Sequence, residues 1–143
     1  MSMIRLTAPQ GSLTPEGRKT VRRDLADALL RCEGAPDAAF FRAQLWSYLV
    51  ELPEGAQTTA EDDAARFLVD VTVPQAVLSE EGRERLVAEA TGIVLSAAGL
   101  VEADAPRVWV LVHEQPDGTW GAGGSIVRHA DLVALARKQR TGE

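Results

Sequence analysis

Apolar residues recur along this chain with two periods, and each period is used twice. Ile4 to Ala8 reads as a strand. Val21, Leu25, Ala28, Leu29 and Cys32 then fall at helical spacing and mark one apolar face. A second strand is predicted over about Gln44 to Glu51. The same order returns. Val69, Val71 and Val73 alternate with Leu68, Asp70 and Thr72. Leu86, Ala90, Ile93, Val94 and Ala97 repeat the helical stripe, each 65 residues after its counterpart. Val108, Val110 and Val112 then alternate with Trp109, Leu111 and His113, in a strand predicted to end at Glu114. Alternation of this kind puts one sheet face under the helices and leaves the other facing elsewhere.

The repetition extends to the residues themselves. LTAPQGSLTPEGR from Leu6 to Arg18 aligns with VTVPQAVLSEEGR from Val71 to Arg83, and seven of the thirteen pairs are identical. Trp46, Glu51, Pro53 and Gly55 match Trp109, Glu114, Pro116 and Gly118 at an offset of 63. Self-similarity at a fixed period sets architecture. Thr14, with Pro15 behind it, and Ser79, with Glu80 and Glu81, read as helix starts. Each half is therefore strand–helix–strand, with parallel strands and a right-handed crossover. The fold class expected is α/β (α+β). Two tandem β-α-β units, about 3–55 and 67–126, form one domain over 1–143. It holds a four-stranded mixed sheet with two helices on one face. Residues Leu52 to Arg66 are polar and connect the halves. The tail 127–143 includes a short helix predicted over His129 to Lys138.

Composition narrows the partners. A formal net charge of −6 argues against nucleic acid or an anionic membrane. Cys32 is the only cysteine, so no internal disulfide forms. No apolar run approaches the ~20 residues of a membrane span. The N-terminus has Arg5 where a signal peptide needs an apolar core. A cytoplasmic protein is expected. The sheet face away from the helices carries Trp46, Tyr48, Val50, Trp109, Leu111 and His113. A sheet apolar on both faces buries both. With helices enough for one face only, the second is expected to be covered by oligomerisation.

The repeat, the Glu-x-x-x-Gly turns and the tail HEQPDGTWGAGG from His113 to Gly124 resemble the tautomerase superfamily, which includes 4-oxalocrotonate tautomerase and macrophage migration inhibitory factor. The resemblance covers about Met3 to Ile126. It implies a fused two-unit subunit, three of which form a barrel-like homotrimer with the helices outside. It also implies keto–enol chemistry on a small keto or unsaturated acid, by way of an N-terminal proline.

The groups that usually carry this chemistry are replaced. The family's proline position falls at about Ser2 in the first half and about Phe67 in the second. Pro9 and Pro74 are mid-chain tertiary amides, suited to ending strands. The family's arginine before the helix corresponds to Leu13 and Leu78, and its strand arginine to Trp46 and Trp109. Arginine pairs bind carboxylates bidentately, so their loss weakens the case for dicarboxylate substrates. The family's aromatic wall residue corresponds to Trp120, which equally suits covering a trimer seam. Ser2 is the catalytic candidate. With Met1 removed, its α-amine has an ordinary pKa of ~7.7–8.0 and serves as a weak general base or imine-forming nucleophile. The alternative is an inert N-terminus. The substrate pocket expected around it includes Trp46, Trp109, Trp120, Arg5 and His113. Arg5 also suits an ion pair at a subunit contact, with Asp70 as partner. Two histidines without spaced carboxylates make no metal site. The GAGG glycines open no helix, so they form no phosphate loop and no cofactor is expected. The competing reading is a trimeric binding or structural protein without catalysis.

Overall fold

Residues 1–142 are described by a computed structural model. Its elements run β1 (Ser2–Pro9), α1 (Pro15–Glu33), α2 (Ala39–Ala43), β2 (Leu45–Leu52), β3 (Phe67–Pro74), α3 (Glu80–Ala98), a 3-10 turn (Glu102–Arg107), β4 (Val108–Gln115), β5 (Gly121–Ala122), β6 (Ser125–Ile126) and α4 (His129–Thr141). The duplication holds for the strands and long helices. β1 and β3, and α1 and α3, begin and end 65 residues apart, while β2 and β4 do so 63 apart.

Local chemistry explains these boundaries. The hydroxyls of Thr14 and Ser79 each accept the backbone N–H three residues on, from Gly17 and Gly82, at 2.9 Å. Each thereby satisfies a donor the helix would leave orphaned. The two helices stop at Gly34 (φ 65°) and Gly99 (φ 66°), in the left-handed conformation that glycine adopts at least cost.

The glycine of the repeated Glu-Gly-Arg motif has a separate role. A Cβ on Gly17 would stand 2.1 Å from the Ala97 carbonyl oxygen, and one on Gly82 would stand 2.9 Å from that of Cys32. The two helices thus cross with each first turn pressed on the other's last turn. The motif's arginine reaches the strand end of its own unit: Arg18 pairs with Glu51 at 2.5 Å, and Arg83 with Glu114 at 3.4 Å. The matched glutamates therefore fasten helix to strand.

The sheet order is β2-β1-β3-β4. β1 is parallel to β2 and β3 to β4, whereas β1 and β3 are antiparallel. In the central pair Ile4 faces Val71, Leu6 faces Val69, and Arg5 faces Asp70. A local twofold axis therefore passes between Arg5 and Asp70. Ile4, Leu6 and Ala8 from β1 and Val69, Val71 and Val73 from β3 are fully buried beneath Val21, Leu25, Leu29, Leu86, Ala90 and Val94. The two helices cover one face, as the stripes indicated.

The sequence left α2, the 3-10 turn and the β5–β6 hairpin unassigned, and the C-terminal helix short. α2 follows Asp37 and buries Phe41, with Phe40 edge-on to it at 5.3 Å. Gly123 and Gly124, both at positive φ, turn the β5–β6 hairpin in the segment read as a glycine tail. The C-terminal helix runs three residues beyond Lys138, to Thr141.

Candidate functional site

The strand alternation decides where Ser2 points. Ile4 and Leu6 face the helices, and Ser2 lies on the same side, only 3% exposed. Its amide donates to the Gln44 carbonyl at 3.1 Å, which anchors the start of β1 beside β2. Its hydroxyl donates to the Glu33 carboxylate in the last turn of α1. The terminal amine on Met1 is close enough to feel the charge of the same carboxylate. Burial lowers that amine's pKa below its ordinary 8.0, with the charge of Glu33 opposing. Burial raises the pKa of the Glu33 carboxyl, with the Ser2 hydrogen bond and the amine opposing. Burial thus pushes the amine and the carboxyl each toward its neutral form, while their mutual attraction opposes it.

Glu33 was missed from sequence. The signal available was the repeat itself, because the residue 65 positions on is Ala98. At that second site Phe67, 2% exposed, takes the place of Ser2. The polar pair of the first unit is therefore an apolar contact region in the second.

The other candidates sit on the opposite sheet face. Trp46 is 60% exposed and Trp109 is 69% exposed. They start the two edge strands and lie at opposite ends of the face, because the two units run antiparallel. Arg5, Asp70 and His113 meet near the middle. Arg5 donates to Asp70 Oδ2 at 3.2 Å, and His113 Nε2 lies 3.1 Å from Oδ1 of the same carboxylate. The Arg5–Asp70 ion pair expected from sequence forms, within one chain and across the local axis. Trp120 lies outside the sheet, where its carbonyl accepts the Val127 N–H at 2.9 Å and closes the β5–β6 hairpin. Within one chain, then, Ser2 is separated by the sheet from Arg5, His113, Trp46 and Trp109. Cys32 is buried in the core, and burial raises its thiol pKa. Leu78 is buried and Leu13 packs on the core, so neither offers a polar group where the family has arginine. Among the described residues no three His, Cys, Asp or Glu side chains gather as metal ligands, and no helix is long and apolar enough to cross a membrane.

Residues 68–130 match the family model for tautomerase enzymes. No curated protein matches the chain. Solved structures share the fold over nearly its full length. Pt0534 inactivated by 2-oxo-3-pentynoate is 24% identical with a TM-score of 0.75, over 90% of this chain and 98% of its own. A fused 4-OT solved as a symmetric trimer is 22% identical with a TM-score of 0.72, over 94% and 98%. A macrophage migration inhibitory factor-like protein from Entamoeba histolytica is 14% identical with a TM-score of 0.68, over 88% and 98%. The family model thus covers the second unit, and the solved structures share the fold of the whole chain.

Proposed function

We propose that this chain is a tautomerase-superfamily isomerase in which a primary α-amine at the start of β1 replaces the family's proline. The observation that carries this reading is the buried meeting of the chain terminus, Ser2 and Glu33 at the position where the resemblance puts the catalytic base. A desolvated amine gives up its proton more readily than a free one, and a carboxyl whose pKa is raised by burial keeps a proton to higher pH than usual, the pairing that proton transfer to and from carbon needs. Substrates are small keto or unsaturated acids. Met1 removal transfers the amine to Ser2, whose side chain already touches Glu33.

The subunits assemble as a homotrimer through the open sheet face. Trp46, Tyr48, Val50, Trp109 and Leu111 make that face too apolar for a solvated surface. Fused 4-OT structures similar to this chain are trimers. Light scattering at micromolar concentration is expected to give three times the 15.4 kDa chain mass, and a monomer would remove this part of the reading.

A second reading is a binding trimer without catalysis. Leucines and tryptophans at all four of the family's arginine positions favour it. Ketonisation of 2-hydroxymuconate and phenylenolpyruvate separates the two. Wild-type activity that falls at least tenfold in Glu33→Gln supports the isomerase. Activity in Ser2→Pro alone means the pocket survives and the native amine is no base. Activity in neither protein selects the binding reading.

A further inference from the structure

The two side edges of the subunit are exchanged by the local twofold axis, yet they carry opposite charge. β2 and β4 are the outermost strands, with α1 packed on the first and α3 on the second. Both long helices lie on one face, so the axis between β1 and β3 runs perpendicular to the sheet.

At the β2 edge a groove runs between α1 and the strand. Lys19, Arg22, Arg23 and Arg42 line it, with Asp24 as its one carboxylate. The Ser47 hydroxyl donates to the Arg22 carbonyl at 2.7 Å and holds this stretch of α1 at the edge. Arg42 is neutralised by Asp27 at 2.5 Å and Asp37 at 3.0 Å. Among the described residues Lys19, Arg22 and Arg23 form no ion pair, and all three are exposed. Three cations thus stand against one carboxylate, in a chain whose net charge is −6.

The corresponding groove at the β4 edge lies between α3 and the 3-10 turn. The residues 65 positions after Lys19, Arg22 and Arg23 are Glu84, Val87 and Ala88, and they line it together with Glu102. Among the described residues no cation lines this groove, and neither glutamate forms an ion pair. Arg85, on the same helix, pairs with Glu89 at 3.8 Å. The core stripe is the same in both units, while the edge charge is reversed at Lys19 and removed at both arginines.

In a closed ring of three subunits, each edge meets an edge of the next. A subunit turned half a revolution about its local axis presents nearly the same outline, because strands and helices recur. Shape alone therefore does not fix which way round it enters the ring. With all subunits facing one way, every junction sets a β2 edge against a β4 edge. One subunit turned over creates a β2–β2 junction and a β4–β4 junction. Like charges set against each other across an interface oppose association.

We infer that the two edges are matched docking surfaces for a second copy of this chain. Lys19, Arg22 and Arg23 of one subunit receive Glu84 and Glu102 of the next, and the arginine stems cover the exposed Val87. Charge thereby selects the ring in which all three subunits face the same way. The inference rests on the trimer reading and adds a direction of assembly to it.

Sedimentation velocity on the full-length protein tests the pairing. Lys19→Glu, Arg22→Glu and Arg23→Glu together make both edges acidic. The concentration at which the trimer half-dissociates is expected to rise at least about tenfold. Glu84→Lys with Glu102→Lys makes both edges basic and is expected to have the same effect. All five changes in one chain exchange the charges of the edges and are expected to restore assembly to within about threefold of wild type. The five residues are exposed, so the core is untouched. Nuclear magnetic resonance reads the direction. The chain has three tryptophans, and a ring facing one way gives three indole N–H signals. More than three signals from the wild-type trimer overturns the inference, because one subunit is then turned over. A combined variant as weak as either parent set overturns it too. A wild type that sediments as a monomer removes the trimer reading and this inference with it. A wild-type trimer indifferent to the charge changes removes this inference alone.

Discussion

The two strand starts of this molecule occupy equivalent positions in the same scaffold and have opposite chemistry. At the first, Ser2 and Glu33 bring a hydroxyl, a carboxyl and the terminal amine together under partial burial. At the second, Phe67 fills the Ser2 position and Ala98 the Glu33 position, and an arginine-flanked cavity opens beside them. The scaffold around both is the same: cap, helix length, helix-to-strand ion pair and strand length all recur. The second strand follows the polar linker of residues 52–66, and there Phe67 fills the volume with apolar packing in place of a buried polar pair.

The largest way to break this comparison is Phe67→Ser, which gives the second start the residue of the first. It removes a buried ring and inserts a hydroxyl without the carboxylate partner that Ser2 has. A loss of about 3–5 kcal/mol is expected, the range for deleting a buried aromatic side chain, measured by chemical denaturation. A loss below ~1 kcal/mol would mean that the second start is not packed as described. Next in size, Gly17→Ala and Gly82→Ala probe the reciprocal helix crossing. The contact at Gly17 is with backbone at 2.1 Å and that at Gly82 at 2.9 Å. Forced separation of the helices costs about 3 kcal/mol in the first and about 1 kcal/mol in the second, within the range for overpacking. Equal melting temperatures for the two variants would show the crossing to be symmetric.

The smallest effect sharpens the polar side of the comparison. Folding raises the pKa of Glu33 above its ordinary 4.5, so the folded chain holds that proton more tightly than the unfolded chain. Stability from this group is fully present below pH 4.5 and is lost as pH rises through the folded value. Wild type should therefore gain stability relative to Glu33→Gln as pH falls from 7 toward 4.5. Glutamine keeps an acceptor for the Ser2 hydroxyl but does not titrate. A flat difference across that range would mean that Glu33 is ionised in the folded state at ordinary affinity.

What the sequence made legible was whatever has a period. The helical stripes, the alternating valines and the Thr14 and Ser79 caps led to the sheet and both long helices within a residue or two. The hairpin at Gly121–Ile126 was harder, because two-residue strands carry too little alternation to register. The site was legible only by position. Ser2 could be found by counting from the helix cap, but its side-chain direction depends on strand parity, and that puts it across the sheet from Arg5 and His113. Glu33 lies 31 residues from Ser2 along the chain and meets it only through the crossover. The cavity beside Phe67 depends on how an aperiodic linker folds back, and no pattern in residues 52–66 announces that.

The pair Arg5–Asp70 sits on the local twofold axis, where each unit meets its own counterpart. Two identical units associating about that axis would set arginine against arginine, or aspartate against aspartate. Here the copies carry opposite charges, so each half is a poor partner for itself and a good partner for the other. Cut at the linker, the two pieces should prefer to re-form the mixed pair. The residue on the axis in this way favours the mixed pair over two copies of either half.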